Sequence, residues 1–308
     1  MRAFSDVLTT LGMQVDIYHN AKICGQWLIS EHSFNATCFH IVTEGRCNLQ
    51  VPGHLNCVLN CGDLIIFPHE LAHTMSVIGE AKGEQQHLDF VRAKDRQGTG
   101  MLCGEVKFTH PAAQQVLKAL PAVFIIEIAD SVVWLKSLLE LIMYENYKAS
   151  PASNVILNTV SELLFVYALQ HYFTHQNQNK SEGDKSFLAL YHHPRLSKAI
   201  EALHKAPQKP WTLALLAQIA SQSRTTFSTQ FKDVSGWSVM QYVTWWRMQL
   251  AWNALIAGRS VANVAQEVGY QSESAFSRIF HKHFSVSAGK VRRNPSCFKP
   301  VAGPLYAD

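Results

Sequence analysis

Two short runs of this chain carry side chains suited to reading a nucleic acid. In the first, Arg224 to Val234, the apolar residues Phe227, Phe231 and Val234 fall at i, i+4 and i+7, the spacing of one helix face. A helix there turns Arg224, Thr225, Ser228, Thr229 and Lys232 outward. In the second, Glu273 to Phe284, the residues Phe276, Ile279 and Phe280 face inward. Glu273, Ser274, Ser277, Arg278, His281 and Lys282 then face outward. A guanidinium fork can pair with O6 and N7 of guanine, so Arg224 and Arg278 are the candidates for base contacts. Lys232, Lys282, Arg292 and Arg293 suit phosphate, which positions a protein without reading sequence. Thr225, Ser228, Ser274 and Ser277 suit either partner. Taken singly, an outward Ser, Thr, Arg or Lys is an ordinary surface residue. The case rests on two such faces of the same build.

The elements that must hold these faces have clear starts and stops. Pro194 opens a helix that runs to about Lys205. Thr212 can cap a helix over Leu213–Ala220, Ser221-Gln222-Ser223 turns, and Ser223 can cap Arg224–Val234. Gly236 breaks the chain. Ser238 then caps a long helix to Ala257, with Gly258 just past its end. The pattern recurs as a helix over Val261–Val268, a turn at Gly269-Tyr270-Gln271, and Ser272 capping Glu273–Phe284. Helix, short turn and a second helix with a small polar and basic face is the form of a helix-turn-helix unit. The connecting helix would let both units enter successive major grooves, about 34 Å apart on one face of a duplex.

Charge divides the chain in the same place. Residues 193–294 hold 13 Lys+Arg against 4 Asp+Glu, a net of +9, while residues 1–192 hold 13 against 18, a net of −5. Only the back half is expected to meet a polyanion. A length of 308 residues suggests about two domains. The N-terminal stretch lacks the apolar run and cleavage site of a signal peptide, and no segment reaches the ~18–20 apolar residues of a membrane span. Seven cysteines with no Cys-x-x-Cys suggest reduced thiols in a cytoplasm.

The front half reads differently. From about Ile17 to Glu105, short runs such as Cys38–Thr43, Asn48–Val51, Cys57–Leu59 and Leu64–Phe67 alternate with turns at Gly45, Pro52-Gly53 and Gly62-Asp63. That spacing indicates an all-β sandwich or barrel. Helical periodicity follows over Ala113–Leu120, Val132–Tyr147 and Asn154–Phe173. The polar stretch His175–Lys185 buries little and reads as a linker.

Residues Pro194–Asn294 resemble the DNA-binding domain of the AraC/XylS family. The resemblance is carried by Trp211-Thr-Leu-Ala-Leu-Leu-Ala, by Tyr242-Val-Thr-Trp-Trp-Arg-Met-Gln-Leu-Ala, and by Val264-Ala-Gln-Glu-Val-Gly-Tyr-Gln-Ser-Glu-Ser-Ala-Phe-Ser-Arg-Ile-Phe. In that family the first recognition helix usually supplies most of the specificity, which here points to Arg224–Lys232. Residues 38–73 resemble a cupin barrel, with Gly62-Asp63-Leu-Ile-Ile-Phe-Pro68-His-Glu-Leu-Ala-His73 fitting its second motif. Leu102–Phe108, His110-Pro111 and Leu117–Pro121 also resemble AraC-type regulators that carry such a domain.

Many cupins hold a metal through an His-x-His pair, a Glu and a later His. The first motif is degraded here: no His-x-His precedes Gly45, His32 lies upstream, and Cys38 or His40 stands where the Glu would fall. Cys38 and His40 are two apart on a strand and so share a face. With His73 they would suit zinc, copper or nickel, with His32 a further candidate ligand. The favoured reading is a packed or hydrogen-bonded interior, and an organic effector near Cys38, His40 and His73 is at least as good as a metal.

The expected fold is therefore an α+β multidomain chain. It has a cupin-like β-barrel with flanking helices in front and an all-α domain with two helix-turn-helix units behind. The expected boundaries are 1–174 for sensing and dimerisation, 175–192 for a linker, 193–294 for DNA binding and 295–308 for a tail. The expected partners are double-stranded DNA, a small-molecule or metal effector, RNA polymerase and a second copy of the chain, with no membrane. Two alternatives compete: a metal-dependent cupin enzyme with an accessory helical domain, and a DNA-binding protein whose barrel is only a dimer scaffold.

Overall fold

The computed structural model of the protein describes residues 2–31, 37–69, 71–128, 133–148, 150–175 and 185–294. His32, residues 176–184 of the expected linker and the tail from Pro295 lie outside the described residues. In chain order the elements begin with α1 (Arg2–Thr10), β1 (Met13–Cys24), β2 (Leu28–Glu31), β3 (Thr37–Glu44), β4 (Arg46–Val51), β5 (Leu55–Asn60) and β6 (Leu64–Phe67). Then come β7 (His73–Ser76), β8 (Gln86–Leu88), β9 (Thr99–Phe108), α2 (Ala112–Leu117), β10 (Phe124–Ile126), α3 (Val133–Lys148) and α4 (Ser153–His175). The C-terminal part is α5 (Leu196–Lys205), α6 (Leu213–Ile219), α7 (Arg224–Ser235), α8 (Val239–Ile256), α9 (Val261–Glu267), α10 (Glu273–Phe284) and α11 (Ala288–Arg293).

The chain forms two compact units. A β unit gathers residues 13–107 and 120–171, and a helical unit gathers the described residues of 2–12, 108–119 and 172–294. In the helical unit α1 and the segment around His110 group with the C-terminal helices.

In the β unit, one sheet runs β10-β6-β3-β9-β1-β8 and the other β2-β7-β4-β5. Among the described residues the strands make two sheets and no closed barrel, which corrects the barrel expectation. The chain changes sheet from β3 to β4 at Gly45 and from β5 to β6 at Gly62, with φ of +70° and +93°. These are backbone angles that L side chains rarely adopt. Trp27, Cys38, Val42, Leu49, Phe67, Met75 and Met101 share one apolar core. Strand β3 is buried on both faces, which is why its sequence alternates so weakly.

The helical unit is organised on α8. Ten of its residues are buried, among them Tyr242, Trp245, Trp246 and Trp252. A helix apolar on so many sides must be covered on all of them. The expected linker is wrong over its last residues: Phe187–Tyr191 forms a buried 3-10 turn. Phe187 stacks on Trp237 with centroids 5.3 Å apart, and the Tyr191 and Tyr242 hydroxyls meet at 2.6 Å. The apolar run Phe-Leu-Ala-Leu-Tyr is too short to show a helical period but large enough to demand burial.

Tyr242 centres a buried polar chain. His204 Nε2 lies 2.9 Å from the Tyr242 hydroxyl, and His204 Nδ1 lies 3.4 Å from Asp6 of α1. Burial pushes the His204 pKa down to about 3. The imidazole is therefore neutral, and its contact with Asp6 is a hydrogen bond from Nδ1–H rather than an ion pair. Nε2 accepts from Tyr242, whose oxygen accepts from Tyr191. The ring also lies flat on Trp246, with centroids 3.8 Å apart. Removing the central hydroxyl strands two buried partners. Tyr242→Phe is expected to cost about 1–3 kcal/mol, read as a lower urea midpoint at unchanged slope. An unchanged midpoint would show that the chain contributes nothing to stability.

Candidate nucleic-acid interface

Both expected helix-turn-helix units are present, and their local construction is the same. Thr212 and Ser260 cap α6 and α9 by accepting the N–H of Leu215 and Asn263, each at 3.2 Å. The Ser223 and Ser272 hydroxyls cap α7 and α10 by accepting the N–H of Thr226 and Ala275, at 3.1 and 3.3 Å. The turns close alike, with Gln222 N–H donating to Ala217 at 3.0 Å and Tyr270 N–H to Ala265 at 2.8 Å. Ser221 and Gly269 fill equivalent left-handed positions, with φ of 54° and 86°. Two capping hydroxyls, one closing backbone bond and one left-handed residue arranged alike in two places are the mark of one unit built twice, and each hydroxyl satisfies a helix-end donor that would otherwise be unpaired.

Periodicity divides the two helices as expected, with one shift. Phe227 and Phe231 are buried in α7, and Phe276 and Phe280 in α10. Val234 is only half-buried; Ser235 takes the interior place, its hydroxyl donating to the Phe231 carbonyl at 2.6 Å. Arg224, Thr225, Thr229 and Lys232 are exposed on α7, and Ser228 is half-buried beside them. Glu273, Ser274, Arg278, His281 and Lys282 are exposed on α10, with Ser277 half-buried. Arg292 and Arg293 are exposed at the end of α11. The Ser274 hydroxyl is 2.7 Å from that of Ser272, so it also braces the cap.

In the β unit, Cys38, His40 and His73 are all interior residues, and the two histidines meet. They are 4 %, 0 % and 1 % exposed, so none lines an open effector pocket in this arrangement. His73 Nδ1 lies 2.8 Å from the Leu71 carbonyl, and His73 Nε2 lies 3.0 Å from His40 Nε2. The carbonyl can only accept, so His73 carries its proton on Nδ1 and accepts from His40 Nε2–H. Cys38 belongs to the apolar core. Among the described residues no group of three or more His, Cys, Asp or Glu is placed to hold a metal ion, and the candidate ligand His32 lies outside them. Sequence reasoning missed His19 of β1, which acts electrostatically on His40 and meets the His87 ring at 5.2 Å. Nothing in the local pattern of β1 signals that approach. An open groove of about 840 Å³ lies elsewhere in the unit, walled by Leu139, Met143 and Tyr144 of α3 and by Thr43, Glu44 and Cys61.

Two helix-turn-helix units on one buried helix, together with a two-sheet β unit, define a DNA-binding transcriptional regulator with a cupin-type sensing half. A cupin family model matches residues 2–174, and a helix-turn-helix domain model matches residues 216–294. The chain belongs to the AraC/XylS-type transcriptional regulators with an N-terminal cupin domain. It is 27% identical over 300 residues to the RCS-specific HTH-type transcriptional activator RclR of Escherichia coli (strain K12), covering 95% of this chain and 97% of that one. It is 26% identical over 309 residues to the HTH-type transcriptional regulator AlkR of Acinetobacter baylyi, covering 95% and 99%. Among solved structures it is similar to fatty-acid-bound ToxT of Vibrio cholerae at 9% identity and a TM-score of 0.36, covering 91% and 94%.

The neutral histidine pair has a consequence for pH. Burial first, then His73 and then His19, hold the His40 pKa well below its ordinary 6.5. Burial and then His87 push His19 down to about 4, against a backbone hydrogen bond at Ala21 that acts the other way. Below ~6.5 the unfolded chain takes up protons that the folded one refuses. Stability from these groups is complete above that pH and is lost as the pH falls toward the folded values. The thermal midpoint is expected to drop between about pH 7 and about pH 5, and His40→Gln to reduce that dependence. A midpoint independent of pH in the native protein would mean that these imidazoles are not neutral by burial.

Proposed function

We propose that the two recognition helices enter successive major grooves on one face of a DNA duplex, and that a small effector bound by the β unit sets when they do. The observation that carries this is the repetition of one unit, α6–α7 and α9–α10, on α8 within the +9 segment. Arg224 and Arg278 read guanine. Thr225, Ser228, Thr229, Ser274 and Ser277 contact base edges or phosphate, and the Glu273 carboxylate suits a cytosine amino group. Lys232, Lys282, Arg292 and Arg293 hold phosphate. The effector proposed is an organic molecule. The groove beside α3 offers it apolar walls and the charges of Glu44 and Lys148. To change transcription, the effector must bind the DNA-competent arrangement with a different affinity from the other one. The bound regulator acts on RNA polymerase in the cytoplasm, and no step of this role calls for catalysis by the chain.

The base-reading role is tested on a duplex selected by the full-length protein from a random pool. Arg224→Ala is expected to relax specificity at one base pair by about 1–3 kcal/mol, whereas Arg292→Ala weakens all duplexes alike and reduces the salt slope by about 1. An equal loss for Arg224→Ala on selected and random DNA would make it a phosphate contact instead.

A second copy of the chain is the proposed partner of α3 and α4. Val155, Leu163 and Tyr167 form an exposed stripe on α4, beside exposed Val133, Leu141 and Tyr144 of α3. Trp134 of α3 stacks on Tyr167, which places exposed apolar groups of both helices where a protein partner could cover them. Leu163→Asp is expected to shift the sedimenting species from dimer to monomer at micromolar concentration. A native protein that sediments as a monomer would remove this role from the helices.

A further inference from the structure

The long helix α8 carries two apolar attachments, one for each helix-turn-helix unit. Tyr242 meets Phe231 of α7 with centroids 5.9 Å apart, and Trp252 stacks on Phe280 of α10 at 6.0 Å. Apolar packing holds the units close but is weakly directional. Midway between these rings stands Arg247, whose guanidinium makes directional contacts to both sides. Its Nε–H donates to the Pro207 carbonyl at 2.9 Å and its Nη2 to the Lys209 carbonyl at 2.8 Å. Those carbonyls belong to the loop that leads into Thr212 and α6. On its other side the guanidinium lies 5.8 Å from the ring of Tyr270, in the turn between α9 and α10.

The second turn also comes against the first loop directly. Gly269 has a φ of +86°, and a Cβ built there would fall 2.7 Å from the Gln208 carbonyl oxygen and 2.7 Å from Arg247 Nη2. A side chain at 269 is thus excluded twice, by backbone angle and by the approach of the first unit's loop. One charged fork and one bare glycine join the two units at a point that the packing of α8 leaves undetermined. Arg247 is half-buried, and its fork is filled by carbonyls, not turned outward toward phosphate.

We propose that Arg247, closed against Gly269, is the positioning residue that sets the register between the two recognition helices, and so the spacing of the two half-sites that a duplex must present. The proposal rests on the two-groove reading above. One inserted base pair turns the second half-site by about 34–36° and moves it along the axis, which a locked pair of units cannot follow. An unlocked pair can follow it, with loss of affinity at the best spacing because the second contact is no longer pre-placed.

The test uses the full chain and a duplex that it selects from a random pool, remade with none, one or two base pairs inserted between the selected elements. The native protein is expected to lose about tenfold or more in affinity for a single insertion. Arg247→Ala is expected to bind the best spacing more weakly and to vary by less than about threefold across the three duplexes. Arg247→Lys keeps the charge but not the two-donor fork, and is expected to behave as the alanine variant does. Gly269→Ala disturbs the same junction from the other side, so it tests the lock if Arg247→Ala fails to fold. An Arg247→Lys variant as strict as the native protein would overturn the proposal. So would an alanine variant that keeps strict spacing while its salt slope falls by about 1, the signature of a direct phosphate contact. A selected duplex with a single element would instead overturn the two-groove reading, and the lock with it.

Discussion

The helical unit depends on the need to cover α8. Its buried residues point in nearly every direction around the axis, so it has no solvent-facing side to spare along most of its length. The front half of the helix is covered by α7 and the 3-10 turn, and the back half by α9, α10 and α11. Met248, Ala251, Trp252 and Leu255 form one core with Val264, Ala265, Phe276 and Phe280. Each recognition helix therefore offers its polar face because its other face is committed to the same shared helix. The reading surface follows from the core.

Much of this helical architecture was legible in the sequence because it is written locally. A capping Ser or Thr, an apolar pair four residues apart and a glycine at a left-handed position each act within a turn or two of the chain. Thr212, Ser223, Ser238 and Ser272 all cap the helices expected of them. What escaped was set by contacts between distant segments. The apolar run at Phe187–Tyr191 was absorbed into a polar linker because its partners, Trp237 and Tyr242, lie some fifty residues away. The approach of His19 to His40 depends on strand order, which no local period reveals. The same holds for Arg247, whose type suggests a surface charge and whose role depends on carbonyls of a loop 38 and 40 residues distant.

The two units share one way of handling histidine. His40 in the β unit, and His110 and His204 in the helical unit, are all buried and all held neutral by that burial. Each is kept as a hydrogen-bonding group with one donor and one acceptor. His110 shows this plainly: Nε2 reaches the Gln249 carbonyl at 3.3 Å while Nδ1 accepts the Ala112 N–H at 3.0 Å. A neutral imidazole can link an N–H or O–H on one side to an oxygen or nitrogen acceptor on the other, which a hydroxyl can do only over a shorter span. That is why such residues appear among core positions in a chain whose catalytic or metal-binding use of them is not apparent among the described residues.

The packing of α1 has a further consequence, for the order in which the protein can be made. Phe4 lies against Tyr191 at 5.8 Å and Asp6 reaches His204 at 3.4 Å, so α1 packs on residues that come more than 180 positions later in the chain. During synthesis this segment must wait, with Phe4 uncovered, until Phe173 and Tyr191 have left the ribosome. The β unit, whose strands are all in hand by Ile126, has no such delay. Nascent chains would thus acquire the sensing half before the half that engages DNA, and a molecule cut short before Trp246 would lack the second reading helix.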